Sequence, residues 1–389
     1  MSRSRAFALI AGGGTAGHVN PALAIADALV ELGHPKNTIR LIGSAKGLEA
    51  TLVPPTGYDI TLLPGRGIVR RVGKDSAIAV WGLLVALVKA IFVVARSRPR
   101  VVVSVGGYAA APCSFAAVFL GIPVVLAESN AVPGAVNRIL GRFAKASAVG
   151  LPGTKLPRAI ITGNPVRPEI TELDRSTEQR NRAKGLMGLP VDRLVVVAFG
   201  GSLGSLTINK AMIDLAGRWH DRGDVAMHHV IGRRDWNDDT FKRSTSGDET
   251  SSGEKLVYQA VEYENRMSLM YQCADIVVCR AGSTTIAEVT AAGLPTVLVP
   301  LPNAPADHQT ANARSLEAAG AAIVVTDSQC NGEMLASILG PLLDDEAHRE
   351  LMSKAARGLA IPDAAQRVAR LVEQHARVPR HRRSTRTRG

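Results

Sequence analysis

The residues most able to do chemistry stand beside glycine-rich turns. His18 closes the run Gly12-Gly13-Gly14-Thr15-Ala16-Gly17, directly after the apolar stretch 7–11. A glycine turn between a strand and a helix lets the backbone approach a ligand closely, and the helix start offers unpaired N–H groups to an anion. A histidine at that mouth has the ordinary pKa of a proton-transfer group. A second cluster, Cys279-Arg280-Ala281-Gly282-Ser283-Thr284-Thr285-Ile286-Ala287-Glu288, reads as a strand, a small-residue turn and a helix start. Its N–H groups and hydroxyls can hold a diphosphate, and Glu288, one turn after Thr284, can accept hydrogen bonds from the two hydroxyls of a ribose. The run Asp307-His308-Gln309-Thr310-Ala311-Asn312 crowds hydrogen-bonding side chains into a loop that opens a helix, as an element reading a sugar would.

What is missing narrows the chemistry. The sequence has no D-x-D spacing to hold a metal on a nucleotide diphosphate, and no G-x-x-x-x-G-K-[ST] phosphate loop. A leaving diphosphate is then stabilised by helix starts and arginine, with no metal and no other cofactor expected. Gly12, Gly14 and Gly17 formally satisfy G-x-G-x-x-G, which invites a dinucleotide reading. That fingerprint also asks for an acidic residue at the end of the second strand, where this chain has Ile42-Gly43-Ser44 and Glu49 comes too late. A dehydrogenase is disfavoured.

The elements that must position these groups alternate. A helix over 21–32, strands over 38–43, 100–105 and 123–127, and then 206–219, 225–231, 276–279, 284–292 and 296–300, predict an α/β protein with parallel sheets covered by helices. A second strand–turn–helix at Gly200-Gly201-Ser202-Leu203-Gly204-Ser205 follows the apolar run 194–199, about half a chain after the first. Two such turns predict two Rossmann-like, doubly wound domains facing each other across a cleft. The 389 residues, 46% of them apolar, suffice for two cores. The boundaries predicted are residues 1–166 for the first domain, 167–192 for a polar linker and 193–360 for the second domain. Residues 361–376 form a helix returning to the first domain, and 377–389 a basic disordered tail. Residues 244–255 read as another exposed loop.

The net charge of +12 owes much to six arginines between Arg377 and Gly389. That tail reads either as a solvated end or as a contact for an anionic surface. Cys113, Cys273, Cys279 and Cys330 are scattered in apolar surroundings and read as reduced, buried thiols of a cytoplasmic protein; no secretory leader precedes the first strand. Residues 76–95 are nearly all apolar and long enough to span a bilayer, but a spanning helix between two strands of one sheet would tear that sheet apart. Two readings stay open: a half-buried helix, or an apolar face rimmed by Arg66, Arg70, Arg71, Lys74, Arg96, Arg98 and Arg100 that docks on an anionic membrane.

In order along the chain, Gly13-Gly14-Thr15-Ala16-Gly17-His18-Val19, Gly106-Gly107-Tyr108, residues 128–134 (ESNAVPG), residues 163–167 (GNPVR), the Gly200 loop, the 279–288 cluster and Asp307-His308-Gln309 resemble the MurG family of bacterial lipid-linked peptidoglycan glycosyltransferases. The likeness runs over residues 7–370. It implies a GT-B fold, an acceptor side on the first domain, and UDP-N-acetylglucosamine (UDP-GlcNAc) held mainly by the second. Residue by residue, it places Thr15, Ala16, Gly17 and Asn130 at the donor, with Asn130 near the sugar. Arg167 and Ser202 face the diphosphate, residues 283–288 hold phosphate and ribose, Gln309 reads the sugar, and the backbone of Glu264 meets the uracil. Gly106, Gly107 and Tyr108 fall on the acceptor side, and His18 matches the family's candidate base. The chain departs from the family at Ala16, Ser129, Leu203 and His308, where Gly, Gln, Gln and Gln are usual; Leu203 cannot make the side-chain hydrogen bond a glutamine makes. The implied partners are UDP-GlcNAc, an undecaprenyl-diphosphate-linked muramoyl-pentapeptide, the anionic cytoplasmic face of the cell membrane and cell-wall synthesis or division proteins, with no nucleic acid. A nucleotide-sugar epimerase of similar fold and a noncatalytic nucleotide-sugar-binding protein are the alternatives.

Overall fold

The computed structural model describes residues 5–14, 16–45, 47–64, 74–107, 109–201, 203–237 and 255–378, and among these all side chains except those of 16, 74–81 and 83. Thr15, Tyr108, Ser202, the basic residues 66–71, most of the 244–255 loop and nearly all of the tail lie outside it.

The first half runs β1 (Ala8–Gly12), α1 (Ala16–Glu31), β2 (Ile39–Ser44), α2 (Glu49–Leu52), β3 (Asp59–Leu63), α3 (Lys74–Ser97), β4 (Val101–Gly106), α4 (Ala110–Phe119), β5 (Val124–Glu128), α5 (Ala135–Leu140), β6 (Ala146–Val149) and β7 (Ala159–Ile161). All seven strands are parallel, in the order β3-β2-β1-β4-β5-β6-β7. Both faces are covered, which is why β1, β4 and β5 are buried from end to end: Ile10, Val101 and Val103 face α1, while Leu9, Val102 and Leu126 face α3 and α4.

Two helices follow, α6 (Pro168–Thr171) and α7 (Thr177–Met187), within the range expected as a linker. They dock on the second domain: Ile170, Ala183, Met187 and Leu189 join its core. The polarity that made this range read as a linker has a use there. Arg175 donates to the carbonyls of Tyr271 and Ala274, Arg180 pairs with Asp275, and buried Lys184 donates to Val191 O and Arg193 O.

The second half comprises β8 (Leu194–Phe199), α8 (Leu206–Arg218), β9 (Val225–Val230), β10 (Val257–Val261), α9 (Met267–Cys273), β11 (Ile276–Cys279), α10 (Ser283–Ala291), β12 (Thr296–Leu298), α11 (His308–Ala318) and β13 (Ala322–Val324). Helices α12 (Gly332–Asp344), α13 (Glu346–Leu359) and α14 (Ala364–His375) end the chain. The six strands are parallel in the order β10-β9-β8-β11-β12-β13, repeating the first sheet's winding. Helix α14 leaves this domain and packs on α1, with Val368, Leu371 and Val372 in the first domain's core. Among the described residues no helix is long and apolar enough to cross a membrane. All four cysteines are free and buried.

Candidate active site

In each sheet the order reverses beside its first strand, β1 against β4 and β8 against β11. Ligands of open parallel sheets bind outside the carboxyl ends of the strands at such reversals. The two glycine turns, Gly106-Gly107 and the 280–283 turn lie at those ends, and the two domains face each other there.

The first turn is built differently from a dinucleotide loop. Glu49, on α2, is buried and accepts hydrogen bonds from the N–H groups of Gly14 (2.8 Å) and Ser44. An internal carboxylate therefore occupies donors that a phosphate would need. A methyl group on Gly107 would lie 2.3 Å from Gly13 O, and Gly107 has φ +81, so the first glycine turn and Gly106-Gly107 pack backbone against backbone. These glycines serve packing as well as ligand approach.

His18 sits on the first turn of α1, half-buried by area yet ringed by protein. A methyl on Gly106 would be 3.4 Å from its Cδ2 and Nε2. Burial lowers the imidazole below its usual value; Glu128 and Glu49 raise it in part, and His308 of the second domain lowers it further. The ring is held neutral, as a base must be to accept a proton. Glu128 is itself buried and saturated: Oε1 accepts from Asn130 N and Nδ2, Oε2 from Gly134 N and Asn137 Nδ2. A carboxylate with four donors is an anchor for the 130–134 loop rather than a base.

Across the cleft, α10 starts at Gly282 without a side-chain cap. Its first turn meets the first domain directly: Thr284 Oγ1 donates to Gly17 O (3.4 Å) and Asn164 Nδ2 to Ser283 O (3.1 Å). A cavity of about 40 Å³ lies beside it, lined among others by Asn164, Ser283, Ile286 and Ala287. Glu288 is buried. Tyr271 donates its hydroxyl to Oε2 at 2.9 Å, and Arg167 Nη2 stands 3.6 Å from Oε1. Burial raises the carboxyl above its ordinary value, against the opposing pull of Arg167 and the Tyr271 hydroxyl. Arg167 Nε is buried with no hydrogen-bond partner among the described residues. The two residues that the sequence assigns to ribose and diphosphate thus neutralise each other here.

Gln309 accepts the Leu301 N–H at its side-chain carbonyl oxygen (2.9 Å), which fixes the amide at the start of α11. Glu264 is buried and commits its carboxylate to Arg266 N (2.7 Å) and towards His228 Nε2 (3.5 Å), so the side chain is spent on structure. Burial would raise its pKa, but the Arg266 backbone and guanidinium outweigh that and lower it. In the second glycine turn, a methyl on Gly204 (φ +83) would strike Ile231 O at 2.1 Å. Ile231 O is fixed in turn by Asn209 Nδ2 (2.9 Å), and Asn209 Oδ1 by buried His229 (3.0 Å).

The structure thus gathers Ala16, Gly17, His18, Gly106, Gly107, Asn130, Arg167, the 283–288 start and Gln309 around one cleft, with Glu264 on the loop after β10. Thr15, Tyr108 and Ser202 lie outside the described residues. Sequence reasoning passed over Glu128, Asn164 and Tyr271, named Asn312 only as one of the hydrogen-bonding side chains of a sugar-reading run, and set Glu49 aside as misplaced. Asn164, Tyr271 and Asn312 act through partners distant in the chain, whereas the donors to Glu128 come from within nine residues of it; Glu128, Asn164 and Asn312 stood inside motifs that could have flagged them.

Residues 8–149 match the Glycosyltransferase family 28 N-terminal domain and residues 195–368 the family's C-terminal domain. A "UDP-N-acetylglucosamine--N-acetylmuramyl-(pentapeptide) pyrophosphoryl-undecaprenol N-acetylglucosamine transferase" of Nocardioides sp. is 39% identical over 364 residues, 94% of this chain and 96% of that one. The enzyme of the same name from Moorella thermoacetica is 38% identical over 376 residues, 94% and 97% of the two chains. The crystal structure of Acinetobacter baumannii MurG superposes with a TM-score of 0.72 at 28% identity, covering 94% of this chain and 99% of that one. A UDP-GlcNAc 2-epimerase from Neisseria meningitidis shares the fold alone, at 14% identity and a TM-score of 0.63. With both family domains matched in order and relatives above 30% identity along nearly its whole length, the chain belongs to glycosyltransferase family 28, within its MurG group.

Proposed function

We propose that this protein transfers N-acetylglucosamine from UDP-GlcNAc to the C4 hydroxyl of the muramoyl sugar of undecaprenyl-diphospho-N-acetylmuramoyl-pentapeptide, with inversion. The observation that carries the reading is the facing of a neutral, buried-side His18 against an uncapped helix start and the Arg167–Glu288 pair across one cleft. His18 takes the proton from the attacking hydroxyl as that oxygen bonds to the anomeric carbon, and the bond to UDP breaks. The leaving diphosphate accepts N–H groups of the α10 start and the guanidinium of Arg167. Glu288 holds the ribose, Gln309 and Asn130 the sugar. The neutral imidazole contributes roughly 10² to 10⁴ in rate, and positioning between the domains supplies much of the rest.

The acceptor's lipid calls for a membrane, and α3 supports a docking face. Ala86, Ala90 and Val94 are buried against the first domain, whereas Leu84, Val85, Val88 and Phe92 are exposed, as is Phe119 on neighbouring α4. An apolar helix face of this kind rests in the headgroup region without crossing it, which supports a peripheral position on the cytoplasmic face of the membrane. The deciding assay is UDP release from UDP-GlcNAc with and without the lipid-linked acceptor. Acceptor-dependent release with a β(1→4) disaccharide as product is expected; acceptor-independent release of UDP with epimerised sugar would favour the epimerase reading, and binding without release a noncatalytic one.

A further inference from the structure

One side chain of the second domain is sealed inside the junction of the two. Asn312, on α11, is 0% exposed. Its Oδ1 accepts from Ala131 N (2.8 Å), and its Nδ2 donates to Asn130 Oδ1 (3.2 Å) and to Ala281 O (3.1 Å). On the other side, Asn130 Nδ2 donates to Glu128 Oε1 (3.1 Å), Asn137 Nδ2 to Glu128 Oε2 (3.1 Å), and Ser104 Oγ, on β4, to Asn137 Oδ1 (2.9 Å). A continuous hydrogen-bonded path therefore runs from the middle of the first sheet, through the carboxylate that acts on His18, through Asn130, and into the turn that precedes α10. Both N–H bonds of the Asn312 amide are committed, one to each domain.

We infer that Asn312 is a positioning residue that sets the Asn130 carboxamide and locks the 130–131 loop to the 281–283 turn when the cleft is shut. Parting the domains breaks the bonds to Asn130 and Ala131 but spares the one to Ala281. Closure and the orientation of Asn130 are thereby one event. The inference rests on the assignment of Asn130 and the 283–288 start to the donor site. Buried polar groups left without partners cost enough that the shut state is favoured only while every member of the path is present.

The test compares Asn312→Ala, Asn312→Asp, Asn130→Ala and the double variant Asn130→Ala/Asn312→Ala in the transfer reaction and in calorimetric titration with UDP. Asn312→Ala should lower kcat by about tenfold or more, while UDP affinity, set by the second domain, stays within about threefold. Asn312→Asp fills the same volume and keeps the acceptor for Ala131 but loses both N–H donors, so it should show the same split even if the alanine variant folds poorly. The double variant should be no more than about threefold slower than Asn130→Ala alone. Losses that multiply, an unchanged kcat in Asn312→Asp, or a parallel fall in UDP affinity would each overturn the inference. Small-angle scattering gives a readout independent of turnover: Asn312→Asp should have a larger radius of gyration than the unaltered chain, and superimposable profiles would also overturn it. Failure of the functional reading is separate, since it would appear as no acceptor-dependent UDP release by the unaltered chain.

Discussion

Replacing Glu288 by alanine removes a carboxylate with two protein partners and, on the proposed reading, the acceptor of two ribose hydroxyls. Hydrogen bonds to a charged acceptor contribute about 1.5–3 kcal/mol each, so losing two at the ribose sets an upper range of about 3–6 kcal/mol. The structure cuts that figure. Oε2 already accepts from Tyr271 and Oε1 already faces Arg167, so ribose binding exchanges part of one interaction for another. Taking one net bond gives a loss of at least about tenfold in affinity, at 1.4 kcal/mol per factor of ten. UDP and UDP-GlcNAc should weaken alike, because the contact is at the nucleotide. Glu288→Gln, which keeps the volume and one acceptor oxygen, should fall between. Tyr271→Phe separates scaffold from contact: it removes only the buried hydroxyl, costing about 1 kcal/mol of stability with less than about threefold effect on UDP. Isothermal calorimetry with a melting curve for each variant reads all of this. A folded Glu288→Ala with unchanged UDP affinity would refute the ribose assignment. Equal losses in Tyr271→Phe and Glu288→Ala would mean that the carboxylate only braces the helix. The raised carboxyl adds a pH signature: protonation removes the acceptor, so UDP affinity should begin to fall, on acidification, above the pH at which an ordinary glutamate titrates.

Other expectations follow from the same cleft. The acid limb of kcat/KM, which reports the free enzyme, should lie below pH 6.5, the ordinary histidine value, because burial lowers His18, and His18→Ala should lose roughly 10² to 10⁴ in kcat; an acid limb above 6.5 that survives His18→Ala would assign the base elsewhere. Activity should persist in excess EDTA, and its abolition with restoration by magnesium or manganese would show that the diphosphate needs a metal. Serine at Leu84, Val88 and Phe92 should reduce binding to anionic vesicles and turnover of a long-chain acceptor, while a short water-soluble acceptor is used at nearly the original rate; equal loss on both would make these side chains structural.

The glycine turns were legible because strand, turn and helix each leave a local signature, and the two reversals of sheet order follow from where those signatures repeat. The place of Glu288 on its helix was legible for the same reason, one turn beyond the small residues of the helix start. Its partner Tyr271 was not: the bond is set by how α9 crosses α10, which no spacing reports. Glu49 was weighed only as a ribose ligand and set aside. Its work of filling the first turn with a carboxylate depends on α2 folding back over β1 and β2, a long-range packing event. Residues 167–192 read as a linker because Arg175, Arg180 and Lys184 outweigh the few apolar positions, yet those cations point at carbonyls and at Asp275 in the second domain. The apolar run 76–95 fits either a buried or a surface helix; its alanine stripe settles which face packs, and that only emerges against α4.

The return of α14 to the first domain has a consequence for how the protein is made. Ala365, Val368, Ala369, Leu371, Val372 and Ala376 complete the core that α1 and β1 begin, Arg377 N bonds Arg100 O, and His34 meets Glu373 at 3.1 Å. During synthesis the first domain should therefore keep one flank of its core open until residues 364–376 have emerged, whereas the second domain has its own sheet and covering helices by residue 359. The first domain is therefore expected to mature no earlier than the second, a departure from the usual rule that the leading domain folds first. A nascent chain arrested near residue 200 should accordingly yield to protease across residues 5–160, and adding a peptide of residues 361–378 in trans should protect it.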